Sequence, residues 1–284
     1  MIKILSLKNE FEQNRNDTSN DQNFKNLNEI LTELRDFLNE LGYLAFGRDI
    51  SVLRKTGPVN GNIILDSATR TMESIRLCCM NANFADAYTL LRKYRDDLFY
   101  YIYVFAVAGY SDITHFFDES QLNDDEKNIW DWMHNQQKEL YIGCVLKCIA
   151  SNPSVGKAVQ DYKLRDSFDK LAEKLNNYVH SNGYLFYNEP FVRLNVKNKI
   201  KQKCDEFGEA ALFITITFLF LVVLVNPLLI MSYDYIESQD FMDVPPDGSQ
   251  YWVAPFVSDF LNEHKNVLDE KCDNYLREKT GMQI

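Results

Sequence analysis

The stretch AALFITITFLFLVVLVNPLLIMSY, residues 210–233, carries no ionisable side chain except Tyr233. No other part of the chain is as apolar over such a length. At about 1.5 Å per residue, a helix of this length reaches roughly 36 Å, enough to cross the apolar part of a bilayer. A helix that is apolar on every side is also typical of the centre of a large helical protein. The stretch therefore predicts either a transmembrane helix or a buried core helix.

The flanks of the apolar stretch favour a membrane, whereas its interior favours a protein core. Five basic residues lie between positions 193 and 203, and the chain after Tyr233 is acidic. The positive-inside rule then places residues 1–208 in the cytoplasm and 210–231 in the inner membrane. Against this, Pro227 interrupts the run, because proline lacks the amide hydrogen that continues a helix. The β-branched residues between 214 and 225 suit a packed core, as in a cytoplasmic protein.

Composition bounds the function classes before any motif is considered. The 284 residues are 46% hydrophobic and 25% charged, which is typical of a folded protein. The formal net charge of −11 disfavours a surface that binds duplex DNA without sequence specificity. The six cysteines lack the spacing of a disulfide framework or of a metal site, so we expect reduced thiols and no bound metal.

Apolar residues recur at helical spacing through most of the chain, and no segment sustains the two-residue alternation of a strand. This pattern predicts an all-α bundle of seven to nine helices, including a hairpin of helices at about 62–79 and 85–108. The predicted organisation is a polar N-terminal arm (1–23), the bundle (24–208), the apolar helix (209–233), and a C-terminal loop and helix that pack on the bundle (234–284).

His180, in KLNNYVHSNGY (174–184), is the candidate for acid–base chemistry. At 100° per residue it lies about 140° from Leu175 on the packing stripe, on the polar side that also holds Asn176 and Asn177. Imidazole suits proton transfer because its unperturbed pKa is near neutrality. Alternatively, a histidine in the last turn of a helix interacts favourably with the helix dipole and needs no further function.

The segment LLRKYRDD (90–97) offers two arginines, Arg92 and Arg95, on the second helix of the hairpin. A guanidinium that faces a groove binds a phosphate through two parallel hydrogen bonds. The alternative is a solvated face with local ion pairs such as Arg92–Asp96, each worth only about 0.3–0.5 kcal/mol. Phosphate-binding loops, dinucleotide fingerprints, zinc-protease motifs and the serine-hydrolase elbow are missing from the sequence, and no cofactor is predicted.

At these two segments the sequence resembles the HEPN superfamily, helical-bundle domains common in bacterial toxin–antitoxin, abortive-infection and anti-phage systems, and related uncharacterised bacterial families. The resemblance covers roughly residues 62–184. It is carried by SATRTMESIRLCCMNANFADAYTLLRKYRDDLFYYI (67–102) and by LNNYVHSNG (175–183). Active HEPN ribonucleases have an arginine before the histidine, with four to six residues between. The corresponding positions here are Glu173, Lys174 and Leu175, so only Lys174 supplies a cation, without the planar fork of arginine.

The resemblance implies a protein that acts on RNA, for example as a metal-independent ribonuclease in phage defence or a toxin system. It implies catalytic roles for His180 and Asn176, and substrate contacts by Arg92, Arg95, Lys174 and Asn177. The RNA 2′-hydroxyl is then the nucleophile, and a homodimer joins two His180 sites. Two alternatives remain: a non-catalytic HEPN-like module for a protein or nucleotide partner, and a membrane-tethered effector in which residues 210–231 insert.

Overall fold

The computed structural model describes residues 2–51, 53–54, 57–58, 61–107, 119–136, 141–187, 191–195, 199–244, 252–268 and 270–281. Within these ranges the side chains of residues 2–6, 45–51, 53–54, 57–58, 185, 192 and 270 are not described. Lys197, one of the basic residues before the apolar stretch, lies outside the described residues.

Thirteen α-helices lie within the described residues, which confirms the all-α prediction and exceeds the predicted seven to nine helices. The first six are α1 (Ile2–Asn20), α2 (Gln22–Ser51), α3 (Asn62–Met80), α4 (Phe84–Val107), α5 (Asp124–Met133) and α6 (Ile142–Ile149). The other seven are α7 (Pro153–Asp161), α8 (Leu164–Val179), α9 (Phe191–Leu194), α10 (Lys199–Val225), α11 (Tyr233–Asp240), α12 (Pro255–Glu263) and α13 (Glu270–Thr280). Two-residue strands, β1 (Leu53–Arg54) and β2 (Gly57–Pro58), form an antiparallel pair between α2 and α3.

Several of the helices are short, and side-chain caps mark the starts of α5, α7 and α11. The C-terminal helix predicted within residues 234–284 is in fact two helices, α12 and α13. Asn123 and Glu126 form a reciprocal capping box at the start of α5, and the Asn152 side chain accepts from two backbone amides at the start of α7. A helix of two or three turns shows too few apolar repeats for periodicity to define its ends.

Residues Ile2–Asn20 form the helix α1, where we had expected a loose arm. Thr18 is 2% exposed, and its hydroxyl donates to the carbonyl oxygen of Met80 at 2.5 Å. The Asp21 carboxylate then accepts from the backbone amides of Asn23 and Phe24, which caps α2. Contacts distant in sequence therefore hold a segment whose polar composition gave no sign of them.

The apolar stretch lies in the C-terminal part of α10, a single helix that also includes the basic residues from Lys199 onward. The helix ends at Val225, and Asn226 caps a short 3₁₀ turn that starts at Pro227, as the missing proline amide requires. α10 is long and apolar enough to cross a membrane, and 72% of its most apolar window is buried inside the protein. Every residue from Ile214 to Leu224 is buried, so protein atoms cover all sides of these three turns.

The chain divides into two compact units, and several helices contribute residues to both. Unit 1 comprises Met1–Asp36, Ala68–Arg95 and Asp166–Thr215. Its core is formed by α2, α3, α4, α8 and α10, with aromatic contacts such as Tyr88 with Phe207 at 4.7 Å between ring centroids. A buried hydrogen bond of 2.7 Å also joins the hydroxyls of Tyr94 and Thr215.

Unit 2 comprises Phe37–Ser67, Asp96–Arg165 and Ile216–Ile284. The rings of Phe37 on α2 and Phe260 on α12 stack at 4.0 Å, and those of Tyr101 and Phe218 meet edge to face at 5.8 Å. After the 3₁₀ turn at Pro227, the backbone forms a bridge between Met231 and Val253. Within unit 2, the segment after α10 therefore pairs with the residues just before α12.

Candidate functional site

The end of α8 is shaped by a tight turn that leaves two tyrosines exposed. Gly183 has a φ of 125°, which side chains other than glycine rarely adopt, and it turns the chain into the 3₁₀ segment Tyr184–Phe186. The Phe186 ring folds back edge to face on Tyr178, with 5.1 Å between centroids. Tyr184 and Tyr187 remain 82% and 60% exposed, and their ring centroids are 6.3 Å apart.

His180 is the first residue after α8 and is exposed. Its backbone amide donates to the carbonyl oxygen of Asn176 at 2.9 Å, and no hydrogen bond to its imidazole is present among the described residues. The Asn182 amide group donates to the Asn177 side-chain oxygen at 3.2 Å. The structure therefore brings His180, Asn176 and Asn177 to the same end of α8, with the imidazole open to solvent.

The helices of unit 1 have a relative direction that fixes which residues lie at that end. Tyr88 and Tyr94 on α4 contact Phe207 and Thr215 on α10, in that order, so the two helices run parallel. The corresponding contacts of α8 with α10 run in the opposite order along the chain. These contacts are Lys174 with Glu206 and Phe168 with Phe213. α8 is therefore antiparallel to both α4 and α10.

This register separates the predicted arginines from His180. Tyr88 stacks on Tyr178 at 4.4 Å, and from that level Arg92 and Arg95 lie toward one end of the bundle and His180 toward the other. At about 1.5 Å per residue, Arg92 is offset from His180 by roughly 9 Å along the helix axis, and Arg95 by roughly 14 Å. Arg95 is also 3% exposed. Neither arginine is at the level of the imidazole.

Lys174, the nearest substitute for the missing HEPN arginine, already has two partners in unit 1. Its ammonium group lies 3.2 Å from a carboxylate oxygen of Glu206 and 4.7 Å from the centroid of the Tyr88 ring. Burial tends to raise the pKa of Glu206, but hydrogen bonds from Gln202 and Lys174 outweigh it and lower the pKa below its ordinary value. Lys174 therefore helps to hold α8 against α10 and α4.

The cations that share the level of His180 belong to the start of α10, and sequence reasoning did not assign them to the site. Measured from the Lys174–Glu206 contact, Lys199 lies seven residues and His180 six residues toward the same end. In antiparallel helices this places them within about 2 Å along the axis. The local charge of the sequence could have identified them, because residues 163–203 hold nine basic and four acidic residues in a chain of net charge −11.

We name this end of unit 1 the basic–aromatic surface. It comprises His180, Tyr184, Tyr187, Arg193, Lys199 and Lys203. All are exposed except Lys203, which is half-buried. Arg193 is placed at this end by Phe191, whose ring lies 5.8 Å from that of Phe24, because the Phe24 ring lies 5.8 Å from that of Phe84 at the start of α4. The surface combines an imidazole, two exposed tyrosine rings on which bases could stack, and three cations. These are the groups that bind single-stranded nucleic acids.

A small cavity of about 180 Å³ lies elsewhere in unit 1, lined in part by Thr18, Asn28 and Arg76. The Arg76 guanidinium binds both carboxylate oxygens of Glu73, at 2.7 and 2.9 Å, and Arg35 binds the same carboxylate at 2.8 Å. These hydrogen bonds, chiefly that from Arg76, lower the pKa of Glu73 to about 2. Since Glu73 and Asp36 together compensate the two guanidinium charges, this network stabilises α2 against α3 and offers little to an anionic ligand.

Within the described residues, no group of three or more His, Cys, Asp or Glu side chains could hold a metal ion. Comparison of the chain with models of protein families, with curated proteins and with solved structures found no match.

Proposed function

We propose that this protein acts on unpaired RNA, which it binds at the basic–aromatic surface, with His180 as the acid–base group. The observation that carries the proposal is the exposed pair Tyr184 and Tyr187 at the same end of unit 1 as an exposed imidazole and the cations of α10. The HEPN resemblance of the same helix end supports RNA as the substrate.

The two tyrosines supply the contact that distinguishes an unpaired strand from a duplex. Bases stack on exposed aromatic rings when they are not paired, and such stacking is worth about 1–3 kcal/mol per base. Arg193, Lys199 and Lys203 supply charge for the phosphates, which a chain of net charge −11 concentrates in few places. Duplex DNA, whose bases are stacked internally, gains nothing from the tyrosines.

The chemistry proposed for the site is cleavage by the RNA itself. His180 takes the proton of a 2′-hydroxyl, whose oxygen then forms a bond to the adjacent phosphorus. The bond from phosphorus to the 5′-oxygen breaks, and that oxygen receives the proton from His180. The products are a 2′,3′-cyclic phosphate and a 5′-hydroxyl end. Lys199 stabilises the charge on the phosphate in the place of the missing arginine, as a point charge without the bidentate geometry.

A non-catalytic binding module is the second candidate, and one observation favours it. Lys174 is held by Glu206 and the Tyr88 ring, and Arg95 is buried, so the residues that would complete the family's catalytic pair are engaged elsewhere. In that case the basic–aromatic surface binds RNA, and His180 contributes a hydrogen bond but no proton transfer.

The proposal treats α10 as a core helix of a cytoplasmic protein rather than as a membrane anchor. Burial of every residue from Ile214 to Leu224 supports this, because a helix inserted in a bilayer exposes its apolar side chains to lipid. A role in phage defence or a toxin system follows the family resemblance. Membrane flotation of the expressed protein tests the assignment of α10, and retention in the bilayer after carbonate extraction would contradict it.

Binding of a fluorescein-labelled oligouridylate tests the RNA proposal by anisotropy. We expect Tyr184→Ala and Tyr187→Ala each to weaken binding by roughly 5- to 150-fold, the equivalent of one lost stacking contact. Tyr43→Ala is the matched control, since Tyr43 is 72% exposed and lies in unit 2. Equal affinity of all three variants with the wild type would contradict the proposed surface.

Cleavage is tested separately with the same RNA, without added metal, by following the 2′,3′-cyclic phosphate end. His180→Ala is compared with His134→Ala, which removes an exposed histidine of unit 2. Loss of cleavage in His180→Ala alone assigns the acid–base role. Binding without cleavage in the wild type selects the non-catalytic module.

A further inference from the structure

A second exposed surface, in unit 2, has no role in the proposed function. It lies at the end of α11, and we name it the acidic–apolar surface. It comprises Glu237, Asp240, Phe241, Met242, Asp243 and Val244, all of them exposed. The three apolar side chains are the unusual feature, because Phe241, Met242 and Val244 are 71%, 95% and 91% exposed. Consecutive apolar side chains presented in this way mark an interaction site more often than a solvated loop.

The backbone holds this surface in a defined conformation. Ser232 caps the start of α11, and the helix ends with the amide of Asp243 donating to the Ser238 carbonyl oxygen at 2.8 Å. Met242 has a φ of 55°, a left-handed conformation that is uncommon for a long side chain. Met242 therefore occupies the left-handed position that ends α11, and its side chain is 95% exposed.

The charge of this region requires a basic partner. Residues 216–264, the part of unit 2 that contains this surface, hold seven acidic residues and no lysine or arginine. An anionic membrane or a nucleic acid is repelled by such a surface. A partner that suits it carries cations together with exposed aromatic or apolar side chains, so that both the charges and the apolar groups find counterparts.

The same molecule presents such a partner surface. The basic–aromatic surface carries Arg193, Lys199 and Lys203 together with two exposed tyrosines, and it lies in a region of excess positive charge, residues 163–203. We infer that the acidic–apolar surface of one copy docks on the basic–aromatic surface of a second copy. The occupant is a second copy of this chain, and charge complementarity is the argument for it.

This contact gives the protein a means of regulating the proposed RNA site, and in that respect the inference rests on the proposed function. The acidic–apolar surface of the second copy covers the cations and rings that RNA needs, so RNA and the second copy compete. Self-association is therefore strongest at low salt and is reversed by RNA.

Charge exchange between the two surfaces tests the inference by sedimentation equilibrium, at about 50 mM and about 500 mM salt. We expect Asp240→Lys with Asp243→Lys, and Lys199→Glu with Lys203→Glu, each to weaken self-association by about tenfold or more at low salt. All four changes together restore the attraction, and we expect an association constant within about threefold of the wild type. Glu29→Lys with Glu40→Lys is the control, because it makes the same change in net charge at exposed positions of α2.

A monomeric wild type at both salt concentrations, or a fourfold variant that does not recover, would overturn the inference. The variant Asp240→Lys with Asp243→Lys distinguishes the RNA proposal from the docking inference. We expect this variant to bind oligouridylate at least as tightly as the wild type. If RNA binds and no self-association occurs, the docking inference alone fails. If self-association behaves as expected and no variant binds RNA, the docking inference stands, and the proposed function fails.

Discussion

Two consecutive regions of this chain differ sharply in charge and in how they use it. Residues 163–203 carry a net charge of +5 and provide the exposed end of α8 and the start of α10, whereas residues 204–264 carry −10 without a single lysine or arginine. The first region presents cations and tyrosines to solvent. The second region contains the buried turns of α10 and then an exposed acidic segment with three apolar side chains. The boundary falls inside one helix, so a single element has a surface role at one end and a core role at the other.

Shortening a buried side chain of α10 tests whether this part of the helix is a protein core. Leu219 is fully buried, and we expect Leu219→Ala to lower the free energy of unfolding by about 2–5 kcal/mol, because the lost methyl groups leave a cavity. Leu77→Ala is the matched control, since Leu77 is 46% exposed, and we expect it to cost much less. Urea denaturation followed by circular dichroism measures both. A loss in Leu219→Ala no larger than in the control would show that this part of α10 is not a core.

On the basic–aromatic surface, we expect Tyr184→Ala to leave the free energy of unfolding nearly unchanged. Its ring is 82% exposed, so little packing is lost. Its affinity for unpaired RNA is expected to fall by an amount equivalent to about 1–3 kcal/mol. Fluorescence anisotropy and urea denaturation on the same preparation separate the two effects. A variant that unfolds readily and binds RNA normally would reverse the assignment.

Within unit 1, the ion pairs of Glu73 stabilise the fold, whereas the cations of the basic–aromatic surface are proposed to bind RNA. The pKa of Glu73 is lowered from 4.5 to about 2, so its contribution is complete above about pH 4.5 and is lost as the pH falls toward 2. We expect Glu73→Gln to destabilise the protein at neutral pH by about 1–2 kcal/mol, a value reduced for solvent screening because the side chain is 35% exposed.

The difference in the free energy of unfolding between wild type and Glu73→Gln should shrink steadily between about pH 4.5 and pH 2. Glu29→Gln, an exposed carboxylate on α2, provides the control. RNA affinity at neutral pH should be the same in all three proteins. A difference that stays constant with pH would contradict the role assigned to the carboxylate of Glu73.

The smallest effect is expected at the turn that positions the tyrosines. An added Cβ at Gly183 meets Phe186 at 3.9 Å, an ordinary contact, so the cost of Gly183→Ala comes from the φ of 125°. We expect a destabilisation of about 1 kcal/mol together with weaker RNA binding, because the turn relaxes and Tyr184 moves. Gly143→Ala is the control, since a Cβ there meets nothing within 4 Å. Equal RNA affinity of Gly183→Ala and the wild type would show that the turn does not position the tyrosines.

The sequence predicted the elements with the strongest apolar periodicity most accurately. The hairpin of α3 and α4 begins and ends within a residue or two of its predicted bounds, because its apolar stripe extends over many turns. The apolar helix was predicted to begin at residue 209, whereas α10 is continuous from Lys199 to Val225. No strong helix breaker lies between them, and Gly208 faces Leu27 and Ile30 in close contact on α2.

The candidate site was only partly accessible to sequence reasoning. Asn176 and Asn177 lie in the last turn of α8 and His180 directly follows it, so their proximity followed from helical spacing. Which cations accompany them depends on the antiparallel direction of α8 relative to α4 and α10, and a single sequence does not specify how helices are arranged in space. The arginines of LLRKYRDD matched the family by appearance, but the register places Lys199, and not Arg92, at the level of the imidazole.

We expect unpaired RNA to lie on the basic–aromatic surface, and photo-crosslinking identifies the residues that contact it. A single-stranded RNA of about twelve nucleotides, with 4-thiouridine throughout, is irradiated with the wild-type protein, and the crosslinked peptides are identified by mass spectrometry. We predict that the crosslinks fall within residues 180–203, with Tyr184 and Tyr187 as the main sites, and that unlabelled RNA suppresses them. Crosslinks confined to unit 2, or none at all at concentrations that saturate binding, would contradict the account.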